Sequence, residues 1–334
     1  MADSRHRRKE LARADRVLPG LWRLRLPLPW PGVPHVNAWA IATGSGVVLV
    51  DTGLHEPGAM RQLERALDQA GLRPGHVRLL VCTHAHSDHY GQAAPIVEAT
   101  GCELWMHPSH GHMTNAAEDP ERMLERRLEV ARQSGVPADT LARYESSRRG
   151  GRLGVAAVVP PDRELVDGVQ VETDLGAWRV YETPGHAPSH VVLHQPARRL
   201  LLSGDHILGR VSLYYDYGHT PDPAGEFLSS LDVVEGMEVQ LVLSGHGRPV
   251  RDLRGLVRAN RNKAHERIEL VRRAIGEGPR TPYEIVPRLF GDAPKQLMVS
   301  WGLSEVLCYL RYLELRGEAA PVAGEDPSRW QAAA

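Results

Sequence analysis

The stretch Leu79-Leu-Val-Cys-Thr-His-Ala-His-Ser-Asp-His-Tyr-Gly91 constrains this chain more than any other. It begins as an apolar run fit for a buried strand and continues with helical period, so its polar residues fall on a strand-to-helix loop. Catalytic groups of α/β proteins favour such carboxyl-terminal strand edges. In an extended stretch His84 and His86 are two residues apart and point the same way, so both imidazoles can reach one ion. Asp88 and His89 follow as the helix begins, displaced toward a second ion.

Later strands supply further ligands at their ends: Thr183-Pro-Gly-His186, Ser203-Gly-Asp205 and Ser244-Gly-His246. A glycine before each ligand fits a sharp turn that brings the backbone close to an ion. A lone His-x-His is more often surface chemistry than a metal site. The full His-x-His-x-Asp-His string with three spaced partners argues for a metal centre. Five imidazoles and two carboxylates suit zinc first, with iron and manganese accepting the same nitrogen and oxygen donors.

The rest of the chain reads as mixed α/β. Short apolar runs recur at Trp39 to Ala42, Val47 to Val50, Leu79 to Cys82, Trp178 to Tyr181, Val191 to Leu193, Leu200 to Leu202 and Leu241 to Leu243. Amphipathic stretches at Pro57 to Ala70, Asp88 to Thr100 and Gly225 to Gly236 separate them. Three domain-level segments follow: a tail over 1–16, a catalytic domain over 17–252 and a small, mainly helical domain over 253–334. Within the second, residues 108–150 form a helical insertion, Glu121 to Gln133 and Ala138 to Arg148 around a Ser134-Gly-Val-Pro137 turn. It reads either as a solvated excursion or as a cap over a substrate pocket. The C-terminal helices Leu253 to Gly276, Thr281 to Phe290 and Val299 to Gly317, with a short wing after them, resemble a winged helix and offer a surface for a homodimer or for nucleic acid.

Composition adds exclusions. A formal net charge of -1 over 334 residues gives no global bias toward nucleic acid. No apolar stretch approaches the roughly 20 residues of a membrane helix, and the N-terminus, basic at Arg5, Arg7, Arg8, Lys9, Arg13 and Arg16, has no signal-peptide core. Cys82, Cys102 and Cys308 form no pair, which fits a reducing cytoplasm. Most of the 17 histidines carry no signal. His55, His76, His107, His110, His112, His194, His206, His219 and His265 are expected to be structural or surface residues, with His206, beside Asp205, the least secure.

From about Val17 to Val250 the ligand constellation closely resembles that of the metallo-β-lactamase superfamily. The resemblance implies a four-layer αββα sandwich, and a binuclear centre with His84, His86 and His186 on one divalent ion, Asp88, His89 and His246 on the other, and Asp205 bridging. It further implies a hydroxide shared between the ions as nucleophile, with Asp88 orienting it or shuttling its proton. Asp51, closing the strand Val48 to Val50 with a family-like Asp-Thr-Gly turn, is expected to support the site by hydrogen bonding. Thr83 and His190 are either similar supports or ordinary strand residues. Tyr214, Tyr215 and Tyr217 either line the site, where one could donate to a developing oxyanion, or simply pack.

Asp205 in the bridging position is unlike true β-lactamases, so antibiotic hydrolysis is not expected. The pattern resembles glyoxalase II, acyl-homoserine lactonases and the β-lactamase-like protein 2 group, the last also through Leu26-Pro-Leu-Pro-Trp-Pro-Gly-Val-Pro-His-Val-Asn-Ala-Trp39 and Asn262-Lys-Ala-His-Glu-Arg267. The expected reaction is hydrolysis of a small ester, thioester or lactone. Single-strand RNA cleavage is the runner-up, weakened by the acidic Glu118-Asp-Pro-Glu121 though Arg148, Arg149 and Arg152 could form a patch. Mono-iron persulfide dioxygenation stands third. A purely regulatory protein should have degraded ligands, and all seven are present.

Overall fold

The computed structural model describes residues 11–30, 32–151, 153–291 and 298–333. The first sheet takes seven strands in the order β1 (Arg13–Leu18), β2 (Leu21–Trp30), β3 (Val33–Thr43), β4 (Gly46–Val50), β5 (Val77–Val81), β6 (Glu103–Met106) and β7 (Arg163–Glu164). It starts as an antiparallel meander and turns parallel from β4 onward. Parallel pairs need crossovers. Helix α1 (Ala59–Gln69) supplies the first, and α2 (Ser87–Tyr90) with α3 (Ala93–Thr100) the second. The second sheet runs β12-β11-β10-β9-β8, from β8 (Gln170–Val171), β9 (Trp178–Glu182), β10 (Val191–Gln195), β11 (Leu200–Gly204) and β12 (Leu241–Ser244). Helix α7 (Pro223–Glu235) crosses between its parallel strands β11 and β12.

Strand periodicity sorts the side chains into three cores. In β4, Val48 and Val50 face the second sheet while Val47 and Leu49 face α1 and α3. In β10, Val191 and Leu193 face the first sheet while Val192 faces α7. The two inward faces close on Trp39 and Trp178, both fully buried, and the outer faces take helices. This is the αββα sandwich. Truncating either tryptophan to alanine removes a large packed side chain, a change that costs about 3–5 kcal/mol.

The insertion forms α4 (Gly111–Glu118), α5 (Pro120–Gln133) and α6 (Ala138–Arg148). The C-terminal part forms α8 (Leu253–Gly276), α9 (Pro282–Phe290), α10 (Leu303–Leu315) and an antiparallel ribbon of β13 (Ala319–Pro321) and β14 (Trp330–Ala332). Local chemistry sets the starts of its helices: Asp252 accepts from the Gly255 amide at 2.8 Å, and Thr281 and Glu284 form a reciprocal capping box with Pro282 at the first helical position. Leu124, Ala131, Val136 and Tyr144 of the insertion share one core with Phe227 and Leu231 of α7 and with Val257, Ile285 and Leu310 of the C-terminal helices. The insertion is therefore packed, with the Tyr283 amide donating to Ser134 at 3.0 Å. Residues on both sides of position 253 build this core.

Two expectations need correction, and one strand lay outside the apolar runs read as strands. Residues 13–16, assigned to a tail, belong to β1: Arg13 pairs with Arg25, and Asp15 bridges Arg23 at 2.7 Å and Arg25 at 3.0 Å. Just before β1 the Ala12 amide donates to Gln62 at 2.9 Å, while residues 1–10 and Arg152 lie outside the described residues. Strand β2 was hidden by Pro27 and Pro29, which break a ladder; among the described residues the β1 pairing ends at Arg25, short of both prolines. The helix expected over Asp88 to Thr100 is split at Gly91 and Gln92, because Gln92 turns to bond Thr52 through its amide at 3.0 Å and its side chain at 2.8 Å. Among the described residues no helix is long and apolar enough to cross a membrane.

Candidate metal centre

All seven expected ligands converge at the carboxyl ends of β5, β11 and β12 and in the loop after β9. His186 Nε2 lies 3.0 Å from His86 Nδ1, and both approach His84. On the other side His246 Nε2 lies 3.2 Å from Asp88 Oδ2. Asp205 stands between the two groups: its Oδ2 is 3.1 Å from His246 and 3.9 Å from His186, and its Oδ1 is 3.4 Å from His89. The glycine before His246 is there for space, since a Cβ on Gly245 would fall on Asp205 Oδ1 and lie 2.7 Å from His89 Cε1. Gly204, before Asp205, has φ +46 and would bring a Cβ within 2.6 Å of His190 Nε2.

The nitrogen of each histidine that faces away from this cluster has an oxygen partner. Thr83 Oγ1 lies 3.1 Å from His84 Nδ1, Asp216 2.8 Å from His86 Nε2 and Asp51 2.9 Å from His89 Nδ1. The backbone oxygens of Tyr214 and His35 serve His186 and His246 at 3.1 and 2.9 Å. Such outer partners set the tautomer and leave the inner nitrogen with its lone pair. Inside, His84 Nε2, His89 Nε2 and Asp205 Oδ1 are buried without a hydrogen-bond partner, a costly arrangement in the absence of a cation. The donors of each three-residue group lie within 4.8 Å of one another, so the residues fit divalent ions.

Electrostatics differ across the cluster. Burial holds His84 well below its ordinary value, and burial with His86 alongside holds His186 at about 3. Burial also opposes charge on His86, His89 and His246, but carboxylates outweigh it: Asp216 raises His86, Asp88 and Asp205 raise His89, and Asp205 with Asp88 raises His246 to about 10. Burial would lift Asp88 and Asp205, yet His89 and His246 keep both below the carboxylate range. The Asp88 side thus stabilises positive charge.

Asp51 accepts from the Thr83 amide at 2.8 Å and its hydroxyl at 3.0 Å, and lies 2.9 Å from His89 Nδ1. His190 accepts from the amides of Asp205 and His206 at 3.1 and 3.2 Å, fixing the turn that presents Asp205. His206 packs edge-on against Phe227, a structural place. The tyrosines divide. Tyr214 reaches the centre, its ring 5.7 Å from both His86 and His186, but its hydroxyl donates to Asp216 at 2.9 Å and so is committed away from an oxyanion. Tyr215 does not line the site; it is fully buried against Phe227 and Tyr309 in the helical core. Tyr217 is 37% exposed, its amide donating to Ser304.

Sequence reasoning missed Asp216, His112, Ser189 and Asn37. Asn37 sits in the quoted Leu26 to Trp39 segment and donates to the Ser244 and Gly247 oxygens at 2.9 and 3.0 Å, tying β3 to the loop of His246. The others carry no spacing signal, since their partners are distant in sequence.

The model of the metallo-beta-lactamase superfamily matches residues 31–246, the span that holds every candidate ligand. "Probable metallo-hydrolase YqjP" of Bacillus subtilis (strain 168) is 25% identical over 304 residues, covering 87% of this chain and 91% of that protein. A beta-lactamase-like protein 2 homolog of Caenorhabditis elegans is 24% identical over 216 residues, 65% of this chain and 57% of that one. The crystal structure of a beta-lactamase domain protein from Burkholderia ambifaria superposes with a TM-score of 0.82 at 30% identity, over 96% of this chain and 94% of that chain. With the sandwich, the strand-end histidines and the family match in agreement, this chain belongs to the metallo-β-lactamase superfamily and is a metallo-hydrolase.

Proposed function

We propose that the chain is a binuclear metal-dependent hydrolase of a small ester, thioester or lactone. The observation that carries this reading is the place of Asp205, whose carboxylate lies within 3.1 to 3.9 Å of histidines from both three-residue groups. His84, His86 and His186 would hold one divalent ion and Asp88, His89 and His246 the other, with zinc favoured by the donor set. Two such ions supply a Lewis acid for the attacked bond and an activated water near neutral pH.

The chain's own groups do the rest. Asp88, kept ionised beside His246, can accept a proton at Oδ2 and return it to a leaving group. The outer hydrogen bonds keep every imidazole in one tautomer. Around the insertion, Arg149 is paired with Glu121 and Glu145, Arg143 with Asp139 and Arg132 with Glu129, which supports a small substrate over an RNA needing a cationic track. Three buried free cysteines support a reducing, cytoplasmic setting.

Elemental analysis of protein purified without added metal, followed by assays on a thioester, a lactone and single-stranded RNA, tests the proposal. Near two zinc per chain with ester, thioester or lactone turnover is the expected result. One iron per chain with persulfide oxidation overturns the binuclear reading, and RNA cleavage without acyl-ester turnover overturns the substrate class.

A further inference from the structure

Behind His86 lies a group of side chains that the reaction above does not use. Asp216, in the segment between β11 and α7, receives His86 Nε2 at 2.8 Å and His112 Nδ1 at 2.9 Å on one oxygen, and the Tyr214 hydroxyl at 2.9 Å on the other. His112, on α4 of the insertion, meets Ser189 Oγ with its second nitrogen at 2.8 Å. Ser189 Oγ in turn accepts from the Ala85 amide at 3.1 Å. The circuit returns to the loop it left: Ala85 adjoins His86.

Proton accounting gives each bond a direction. Asp216, as a carboxylate, can only accept, so His112 Nδ1 carries the proton, and Ser189 Oγ, which accepts from the Ala85 amide on one lone pair, gives its own hydrogen to His112 Nε2. That nitrogen is then the acceptor of the ring. The same carboxylate takes the Nε2 proton of His86, leaving the lone pair of His86 on Nδ1, the atom that faces His186. His86, His112 and Asp216 are close enough to suggest a separate metal site. The bonding argues otherwise, because an ion there would take His86 through Nε2 while its Nδ1 faces His186, so the ring would have to bridge two ions as an imidazolate. The side chains of His112 and Asp216 are 2% and 12% exposed, so this circuit is exchanged little with water.

We propose that His112 and Asp216 are positioning residues that lock the rotamer and tautomer of His86, making the helical insertion a working part of the metal centre. The inference rests on the reading of His84, His86 and His186 as ligands of one ion. A partner carboxylate behind a ligating histidine raises its basicity and pre-sets its direction, and losing one typically costs 10–100-fold in metal affinity.

The test measures zinc affinity by chelator competition, and the visible spectrum after cobalt substitution, for the wild type, His112→Ala, His112→Asn, Asp216→Ala and the exposed α4 control Asn115→Ala. Zinc affinity should fall about 10–100-fold in His112→Ala and Asp216→Ala, with an altered spectrum for one of two ions, and should hold in Asn115→Ala. His112→Asn, whose amide can still donate to Asp216, should recover most of the affinity. If His112→Ala does not fold, the comparison of His112→Asn with Asp216→Ala decides. Wild-type affinity and spectrum in folded His112→Ala or Asp216→Ala overturn the proposal and leave the hydrolase reading intact. A wild-type protein that binds no divalent ion removes both.

Discussion

Two carboxylates, Asp51 fully buried and Asp216 partly so, bond histidines of the cluster, and they are held in different ways. Asp51 follows β4 directly, in a left-handed backbone conformation (φ 65), and bonds Thr83 and His89 across the neighbouring strand β5. Parallel sheet pairing presets its position. Asp216 lies outside any strand or helix and is held by side chains from the insertion and from the loop after β5. One support is part of the sheet lattice, and the other exists only once the insertion has docked. The contrast teaches that two sides of one histidine cluster can differ in how their rigidity is built.

Removing Asp51 should therefore do the greater damage. Asp51→Ala leaves the Thr83 amide and His89 Nδ1 buried without their acceptor, a broken buried pair worth about 3–5 kcal/mol, and denaturant unfolding should show that loss together with weaker metal retention. Asp216→Ala should cost less in stability, about 1–3 kcal/mol, because its surroundings are loops that can relax, while losing zinc affinity. Equal unfolding losses in the two variants would break the distinction between a lattice-held and a docked support. Asn37→Ala sharpens it further: Asn37 ties β3 to the His246 loop by two side-chain bonds, so its removal should cost about 1–2 kcal/mol and weaken metal binding on the Asp88 side alone, visible as a change in one of two cobalt spectra.

The smallest effect belongs to a carboxylate paired in the open. Asp15 is 41% exposed; burial works to raise its pKa, but Arg23 and Arg25 lower it below the ordinary 3.8. A folded-state value below the unfolded one contributes stability above about pH 3.8 that fades as pH falls through the folded value. Solvent screening limits it to under about 1 kcal/mol. Asp15→Asn should thus differ slightly from wild type in unfolding at neutral pH and coincide with it in acid. A large neutral-pH loss would show that β1, which the basic composition of the N-terminus disguised as a tail, is anchored more firmly than its charge pairs imply.

The candidate ligands were legible because each stands just past the end of a strand or at the start of a helix, where spacing of two residues, or a glycine just before, carries geometric meaning. Asp51 was legible for the same reason, as the last residue of an apolar run. The long helix Leu253–Gly276 and both halves of the α5–α6 pair could be read from period and caps. Asp216 could not, since it meets His86 across 130 residues and its neighbours Tyr214, Tyr215 and Tyr217 point to three environments that alternation along a loop does not encode. Nor could the role of His112, one histidine among 17, whose partners come from β5's loop, the β9–β10 turn and the segment after β11. Local periodicity and turn chemistry specify which residues leave a strand toward a common rim. Which side chains then stand behind that rim depends on how the insertion and the C-terminal helices share a core, and that is settled by packing between segments far apart in the chain.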